Sequence, residues 1–184
     1  MKIAIYLGSF NPFHNGYLEV VKTALNDFKM DKVIIVPTMQ NPWKEEKVLD
    51  IDKRIGIIHT ILKNSKNIYD FAEDYCLFYS FPNKIIYIDT IEKNLTPPYY
   101  SYATLHALKN KYHNNEIFVL CGEDTIEDIP NWMNGEQIIQ DYNFLICDRT
   151  EISSTDIRNK IKEGKDISNL VGKNVINLIK KYYG

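Results

Sequence analysis

The sequence predicts an α/β fold, an open parallel sheet with helices on both faces. Short apolar runs rich in β-branched residues alternate with stretches of helical periodicity. Those runs are apolar at successive positions, so both faces of the sheet need covering. The chain has 184 residues, 45% of them hydrophobic and 25% charged, which suits a single domain with a real core.

The elements follow in order. Lys2–Leu7 reads as the first strand, and Gly16–Phe28 as a helix with Leu18, Val21 and Leu25 on one face. Lys32–Pro37 is a buried strand. Asp50 or Asp52 caps a helix that runs to about Lys63, with Ile55, Ile58, Ile61 and Leu62 inward. Lys84–Asp89 is a third strand, and Ser101–Tyr112 a helix with Leu105 and Leu108 on its core face. Glu116–Cys121 and Asn143–Cys147 are the fourth and fifth strands. Ser154–Lys162 and Asn174–Lys181 close the domain as helices, with Gly164 placed to end the first of them. The stretch Ile68–Asn83 is aromatic and acidic, and reads equally as a hairpin, a helix or an oligomer contact.

Composition excludes several classes. A net charge of -2 without a Lys/Arg stripe argues against a nucleic-acid binder. No run approaches the roughly 18 apolar residues of a membrane-spanning helix. The first residues lead straight into Gly8-Ser9-Phe10-Asn11-Pro12 without the small-residue cleavage site of a signal peptide, so a cytoplasmic protein is expected. Cys76, Cys121 and Cys147 form no Cys-x-x-Cys pair, and read as reduced thiols in strands. His59, His106 and His113 fall at no metal-ligand spacing. There is no G-x-G-x-x-G, Walker A or G-x-S-x-G segment.

Ligands of such sheets sit beyond the carboxyl ends of the strands. Two segments there carry chemistry. Gly8-Ser9-Phe10-Asn11-Pro12-Phe13-His14-Asn15-Gly16-Tyr17 follows the first strand and opens the first helix. A glycine allows a sharp turn and close ligand approach, Ser9 and Asn11 offer donors, and His14 lies at a helix mouth that favours anions. Ile152-Ser153-Ser154-Thr155-Asp156-Ile157-Arg158 places hydroxyls and a guanidinium at another helix start, the makings of an anion pocket.

The first segment resembles the G-[ST]-F-x-P-x-H-x-G-H signature of the nucleotidyltransferase superfamily, and the second its ISSTxIR signature. Further segments fall in order: Asn41-Pro42-Trp43-Lys44, Pro98-Tyr99-Tyr100-Ser101-Tyr102-Ala103-Thr104-Leu105, Gly122-Glu123-Asp124 with Trp132 beyond it, and Arg149. Together they resemble the nicotinate-mononucleotide adenylyltransferase family over nearly the whole chain. The resemblance implies a Rossmann-like fold of nucleotidyltransferase type. It implies transfer of an adenylyl group from ATP to nicotinic acid mononucleotide, giving deamido-NAD and pyrophosphate, with Mg²⁺ accompanying ATP.

By the same resemblance His14, Tyr17, Lys44 and Arg158 are the catalytic set. Gly8, Ser9, Phe10, Gly16, Gly122, Asp124, Ile152, Ser153, Ser154 and Thr155 bind ATP. Asn11, Tyr100, Ser101 and Trp132 bind the acceptor, with Trp132 stacking on the pyridine ring. No protein metal site is implied. The expected partners are ATP and a pyridine mononucleotide, with a homo-oligomer allowed and no nucleic acid or membrane.

Three positions depart from the family pattern. Tyr17 stands in place of the signature's second His, and Ala103 in place of an Asp. Only Thr150 and Glu151 separate Arg149 from the ISSTxIR segment, where the family has a further strand. Tyr17 is expected to offer the phosphates a neutral hydroxyl. The rival readings are the same chemistry on nicotinamide mononucleotide or phosphopantetheine, and a nucleotide-binding relative with weakened catalysis.

Overall fold

The computed structural model describes residues 1–40, 42, 47–65, 68–70, 76–79, 84–148 and 150–184. Its strands are β1 (Lys2–Gly8), β2 (Lys32–Pro37), β3 (Ile68–Asp70), β4 (Cys76–Tyr79), β5 (Lys84–Ile88), β6 (Glu116–Gly122) and β7 (Asn143–Cys147). Its α-helices are α1 (Asn15–Asn26), α2 (Ile51–Lys63), α3 (Ser101–Lys111), α4 (Glu123–Asp128), α5 (Gly135–Asp141), α6 (Ser154–Lys162) and α7 (Ile176–Tyr183).

The sheet order is β3-β4-β5-β2-β1-β6-β7. The pairs β5–β2, β2–β1, β1–β6 and β6–β7 are parallel, as the five apolar runs predict. Period-two alternation then splits each strand between two cores. Ala4 and Tyr6 of β1 meet Leu18, Val21 and Leu25 of α1, with α2, α6 and α7 on the same face. Ile3 and Ile5 meet Leu105 and Leu108 of α3 and Ile138 of α5 on the other. A chain covered on both faces needs continuous apolar strands, and this explains the runs.

The stretch Ile68–Asn83 contributes an antiparallel addition to that sheet. β3 pairs with β4 and β4 with β5, both antiparallel, so of the open alternatives the hairpin is the one the described backbone adopts. The other unforeseen elements are α4 and α5, two short helices between β6 and β7. Cys121 and Cys147 are free and buried. Burial raises both thiols to about 11, so they remain protonated.

Caps fall where side-chain chemistry places them. The Asp50 carboxylate accepts from the N–H groups of Asp52 and Lys53 at 3.0 and 3.4 Å. Gly164 takes φ +69 just past α6. Its N–H donates to Ile161 and that of Lys165 to Lys160, which closes the helix with a left-handed residue that glycine adopts without strain.

The topology fixes where a ligand belongs. From β1 the chain first builds outward through β2 and β5, then returns to β6 on the other side of β1. The crevice at this reversal opens at the carboxyl ends of β1 and β6, between the loops that leave them. No helix among the described residues is long and apolar enough to cross a membrane.

Candidate active site

A cleft of about 810 Å³ occupies that crevice. Its walls include Gly8, Ser9 and His14 from the turn after β1, Gly122 and Asp124 after β6, and the start of α6. A second cavity of about 80 Å³ shares Thr38, Ser101 and Trp132 with it and adds Tyr100. The two predicted segments and the predicted acceptor residues thus line one continuous depression.

The turn after β1 is packed from within. Phe10 takes φ +46 and is 1% exposed. Its ring lies against Gly8, where an added Cβ would sit 2.8 Å from the ring edge, so the tight approach requires glycine there. Tyr6, Phe13 and Tyr17 surround Phe10 with ring centroids 5.0 to 5.5 Å away. Phe10 therefore shapes the floor of the cleft. At Gly16 an added Cβ would come within 2.5 Å of the Thr150 hydroxyl and 3.0 Å of His14 Nδ1, so this glycine lets α1 start against the loop leading to α6.

His14 is the residue before the first turn of α1, in extended conformation with no side-chain cap bond. It is 2% exposed yet borders the cleft. Burial lowers its pKa to about 4, so the imidazole is neutral at pH 7 and keeps one N–H donor. Among the described residues its Nδ1 is the buried side-chain polar atom without a hydrogen-bond partner. Such an atom costs free energy unless something else meets it, and the residue that carries it lines the cleft. The Tyr17 ring stacks on the imidazole at 3.9 Å between centroids and 19° between planes.

The start of α6 meets the first segment directly. Ser154 donates to the carbonyl of Pro12 at 2.9 Å, and Arg158 Nη1 to the carbonyl of Asn11 at 2.7 Å. Because the carbonyl takes the one Ser154 proton, the 3.3 Å contact between Tyr17 and Ser154 runs from the phenol to Oγ. The Tyr17 hydroxyl is thus occupied by Ser154. Ser153 caps α6 by accepting from Asp156 N–H at 3.1 Å, and Arg158 Nη2 reaches the Thr155 hydroxyl at 3.3 Å. Ile152 lies half-buried in front of this cap, along the cleft.

The Asn11 side chain turns inward. It is 5% exposed, and its Oδ1 accepts from Leu49 N–H at 3.2 Å and from the Tyr183 hydroxyl of α7 at 2.7 Å. On the acceptor side Tyr100 precedes the first turn of α3 and Ser101 begins it, with no side-chain cap bond. The Trp132 indole N–H donates to Asp128 at 2.9 Å, which holds the ring half-exposed at the mouth of the small cavity. Gly122 ends β6 and caps α4, with Asp124 exposed in its first turn. Lys44, Asn41, Trp43 and Arg149 lie outside the described residues.

Several contributors escape sequence reasoning. Thr38 and Thr150 line the cleft without belonging to any motif. Arg54 is 1% exposed and donates to three backbone carbonyls, of Leu49, Ser9 and Met39, at 2.6, 2.6 and 3.4 Å. Glu92, also 1% exposed, accepts from Met39 N–H at 2.6 Å and the Thr104 hydroxyl at 2.7 Å. Arg54 lies in the structure between buried Ile51 and Ile55 on the inward side of α2.

Known proteins are similar to this chain in sequence and fold. The model of the cytidylyltransferase-like family matches residues 5–160. A protein of Fusobacterium nucleatum named probable nicotinate-nucleotide adenylyltransferase is 32% identical, over 100% of this chain and 99% of its own. One of the same name from Cytophaga hutchinsonii is 30% identical over 100% and 98%. A crystal structure from Vibrio parahaemolyticus, provisionally named a nicotinate-nucleotide adenylyltransferase, superposes with a TM-score of 0.73 at 25% identity over 97% of both chains. The nicotinic acid mononucleotide adenylyltransferase of Plasmodium falciparum, solved in complex with NaAD, shares the fold at TM-score 0.72 and 17% identity, over 98% of this chain and 95% of its own.

Proposed function

The chain belongs to the cytidylyltransferase-like family and, within it, to the nicotinate-nucleotide adenylyltransferases, and from that premise we propose that it transfers the adenylyl group of ATP to nicotinic acid mononucleotide. The acceptor's 5′-phosphate oxygen attacks the α-phosphorus, the bond to the bridging oxygen breaks, and pyrophosphate leaves with deamido-NAD as the other product. No protein nucleophile takes part. Catalysis is alignment of the two phosphates and stabilisation of charge on the α-phosphate and the leaving group.

The observation that supports this reading best is the meeting of two segments far apart in sequence. Arg158 holds the Asn11 carbonyl and Ser154 that of Pro12, so a glycine turn, a buried imidazole and the start of α6 face one cleft. In our reading the triphosphate lies there. Neutral His14 donates to the α-phosphate. The first N–H groups of α6, with Ser153 to Thr155 and Arg158, receive the β- and γ-phosphates. Lys44 bridges phosphates, and Asp124 lies on the ribose side. Mg²⁺ enters as part of the ATP substrate, bound by phosphate oxygens and water. The acceptor's ring enters the small cavity, against Trp132 and near Ser101. The proposed setting is cytoplasmic.

The test is pyrophosphate release from ATP-Mg²⁺ with nicotinic acid mononucleotide, nicotinamide mononucleotide and phosphopantetheine as separate acceptors. The expected result is the highest kcat/KM with nicotinic acid mononucleotide. Release with phosphopantetheine alone would overturn the acceptor, and release with none would overturn the reaction.

A further inference from the structure

We propose that Arg54 and Glu92 are positioning residues that set the triphosphate side and the acceptor side of the cleft relative to each other; this rests on the adenylyl-transfer reading. Neither side chain borders the cleft. Both are 1% exposed, and both act on the backbone of Met39. Arg54 Nη2 donates to its carbonyl at 3.4 Å, and its N–H donates to Glu92 Oε2 at 2.6 Å. The residue just before, Thr38, is shared by both cavities.

From Met39 the two charges reach opposite ways. Arg54 Nη1 donates to the Ser9 carbonyl at 2.6 Å, in the turn that carries the phosphate-facing backbone. Glu92 Oε1 accepts from the Thr104 hydroxyl at 2.7 Å, one turn into α3 from Ser101. The line Ser9–Arg54–Met39–Glu92–Thr104 therefore runs under the cleft from one substrate side to the other. Burying two opposite charges is costly unless their hydrogen bonds are met. Here each charge is spent mainly on backbone or on a hydroxyl, so the cost is offset by fixing positions. A planar guanidinium suits this because its donors keep a fixed fork, which an ammonium cannot reproduce.

The test uses Glu92→Gln and Arg54→Lys in the full chain. Glu92→Gln keeps the volume and one acceptor for Met39 N–H, but turns an NH₂ toward Thr104. Two dissociation constants are measured, one for ATP-Mg²⁺ and one for nicotinic acid mononucleotide, the latter by Trp fluorescence, alongside kcat and Tm. For Glu92→Gln the expected result is a mononucleotide Kd raised about fivefold to tenfold, an ATP Kd within twofold of wild type, and a native far-UV spectrum. Arg54→Lys, where it folds, is expected to weaken both ligands and to lower kcat at saturation.

Glu92→Gln with both constants and kcat unchanged would overturn the proposal. So would a parallel loss of both affinities in proportion to a fall in Tm, which is what a purely structural residue produces. The two claims fail separately. A wild-type chain that binds both nucleotides without releasing pyrophosphate refutes the reaction while the Kd comparison still judges Glu92. A wild-type chain that binds neither refutes both.

Discussion

The two sides of the cleft are built differently. On the phosphate side His14 and Phe10 are each 2% exposed or less, and the turn that carries them is tied to α6 and α7, by Ser154 to Pro12, Arg158 to Asn11 and Tyr183 to Asn11. On the acceptor side Tyr100, Ser101 and Trp132 are half-exposed, and among the described residues the Trp132 indole bonds Asp128, four residues earlier at the end of α4. The difference matches what each side has to do. Charge develops on the phosphates, and donors fixed in advance stabilise it without reorganising at the moment of reaction. In the proposed reaction the acceptor ring carries no developing charge, and a small cavity lined by Tyr99, Tyr100 and Trp132 suffices to orient it.

The largest expected effect tests the phosphate side. His14→Ala removes a buried imidazole that lines the cleft and has no hydrogen-bond partner at Nδ1 among the described residues. Loss of a preorganised donor of this type costs about 3–4 kcal/mol in the transition state, or roughly two to three orders of magnitude in kcat. The Kd for ATP should change far less, because the charge it meets is not yet developed. An ATP Kd weakened as much as kcat would mean that His14 merely binds ground-state substrate.

The same burial predicts a pH effect on stability. The folded pKa of His14 is about 4, while an unfolded histidine titrates near its ordinary 6.5. Between those values the unfolded chain binds a proton that the folded chain refuses, so stability rises with pH across this window. The contribution is fully present above about pH 6.5 and is lost as pH falls toward 4, by about 3 kcal/mol in all. In chemical denaturation from pH 7 to pH 4.5, His14→Gln should lose less stability than wild type. Glu92, raised by burial, pulls the other way in both proteins and cancels in the difference. Equal slopes for the two would show that His14 is solvated.

The acceptor side should respond to a change in the wall. Trp132→Ala removes one face of the small cavity and should raise KM for the mononucleotide about tenfold, near the upper range of an aromatic contact. KM for ATP should stay level, since among the described residues the Trp132 indole bonds Asp128 and packs on the core under α3 and α5, and bonds no residue of the turn after β1 or of α6. If kcat falls as much as it does in His14→Ala, the two sides do not divide the labour as described.

The sheet was legible because its demand is simple. A strand buried on both faces needs a continuous apolar run, and five runs gave five parallel strands, each ending within a residue of its expected bound. α4 and α5 were not legible. They are six and seven residues long, acidic, and follow no helical apolar stripe that a reader could distinguish from loop. β3 and β4 stayed ambiguous because an aromatic, acidic stretch fits a strand or a helix, and their pairing depends on the partner β5. In the site, His14, Ser154 and Arg158 could be located from motif strings alone. Arg54 and Glu92 could not, since an Arg on an amphipathic helix ordinarily reads as surface, and its burial follows only from the three carbonyls that converge on it.

The smallest effect is expected at Tyr17, where the sequence departs from the family signature and where a phosphate contact had been anticipated. The structure gives the hydroxyl another partner. Ser154 spends its own proton on Pro12, so Tyr17 donates to Ser154, at a long 3.3 Å. Burial raises the phenol pKa, so it stays a neutral donor. A neutral hydrogen bond of this kind contributes about 0.5–1.5 kcal/mol, and its length places it at the lower end. Tyr17→Phe keeps the ring, its stack on His14 and its edge contacts with Tyr6 and Phe10. Its kcat should therefore fall no more than about threefold. Tyr17→Leu, which loses the stack, should lose more, because the imidazole is then free to leave the orientation that aims its donor. The informative quantity is the ratio of the two variants at saturating ATP-Mg²⁺. A Phe variant as impaired as the Leu variant would return the hydroxyl to the phosphates. A Leu variant as active as Phe would show that the 3.9 Å stack does not hold His14 in place.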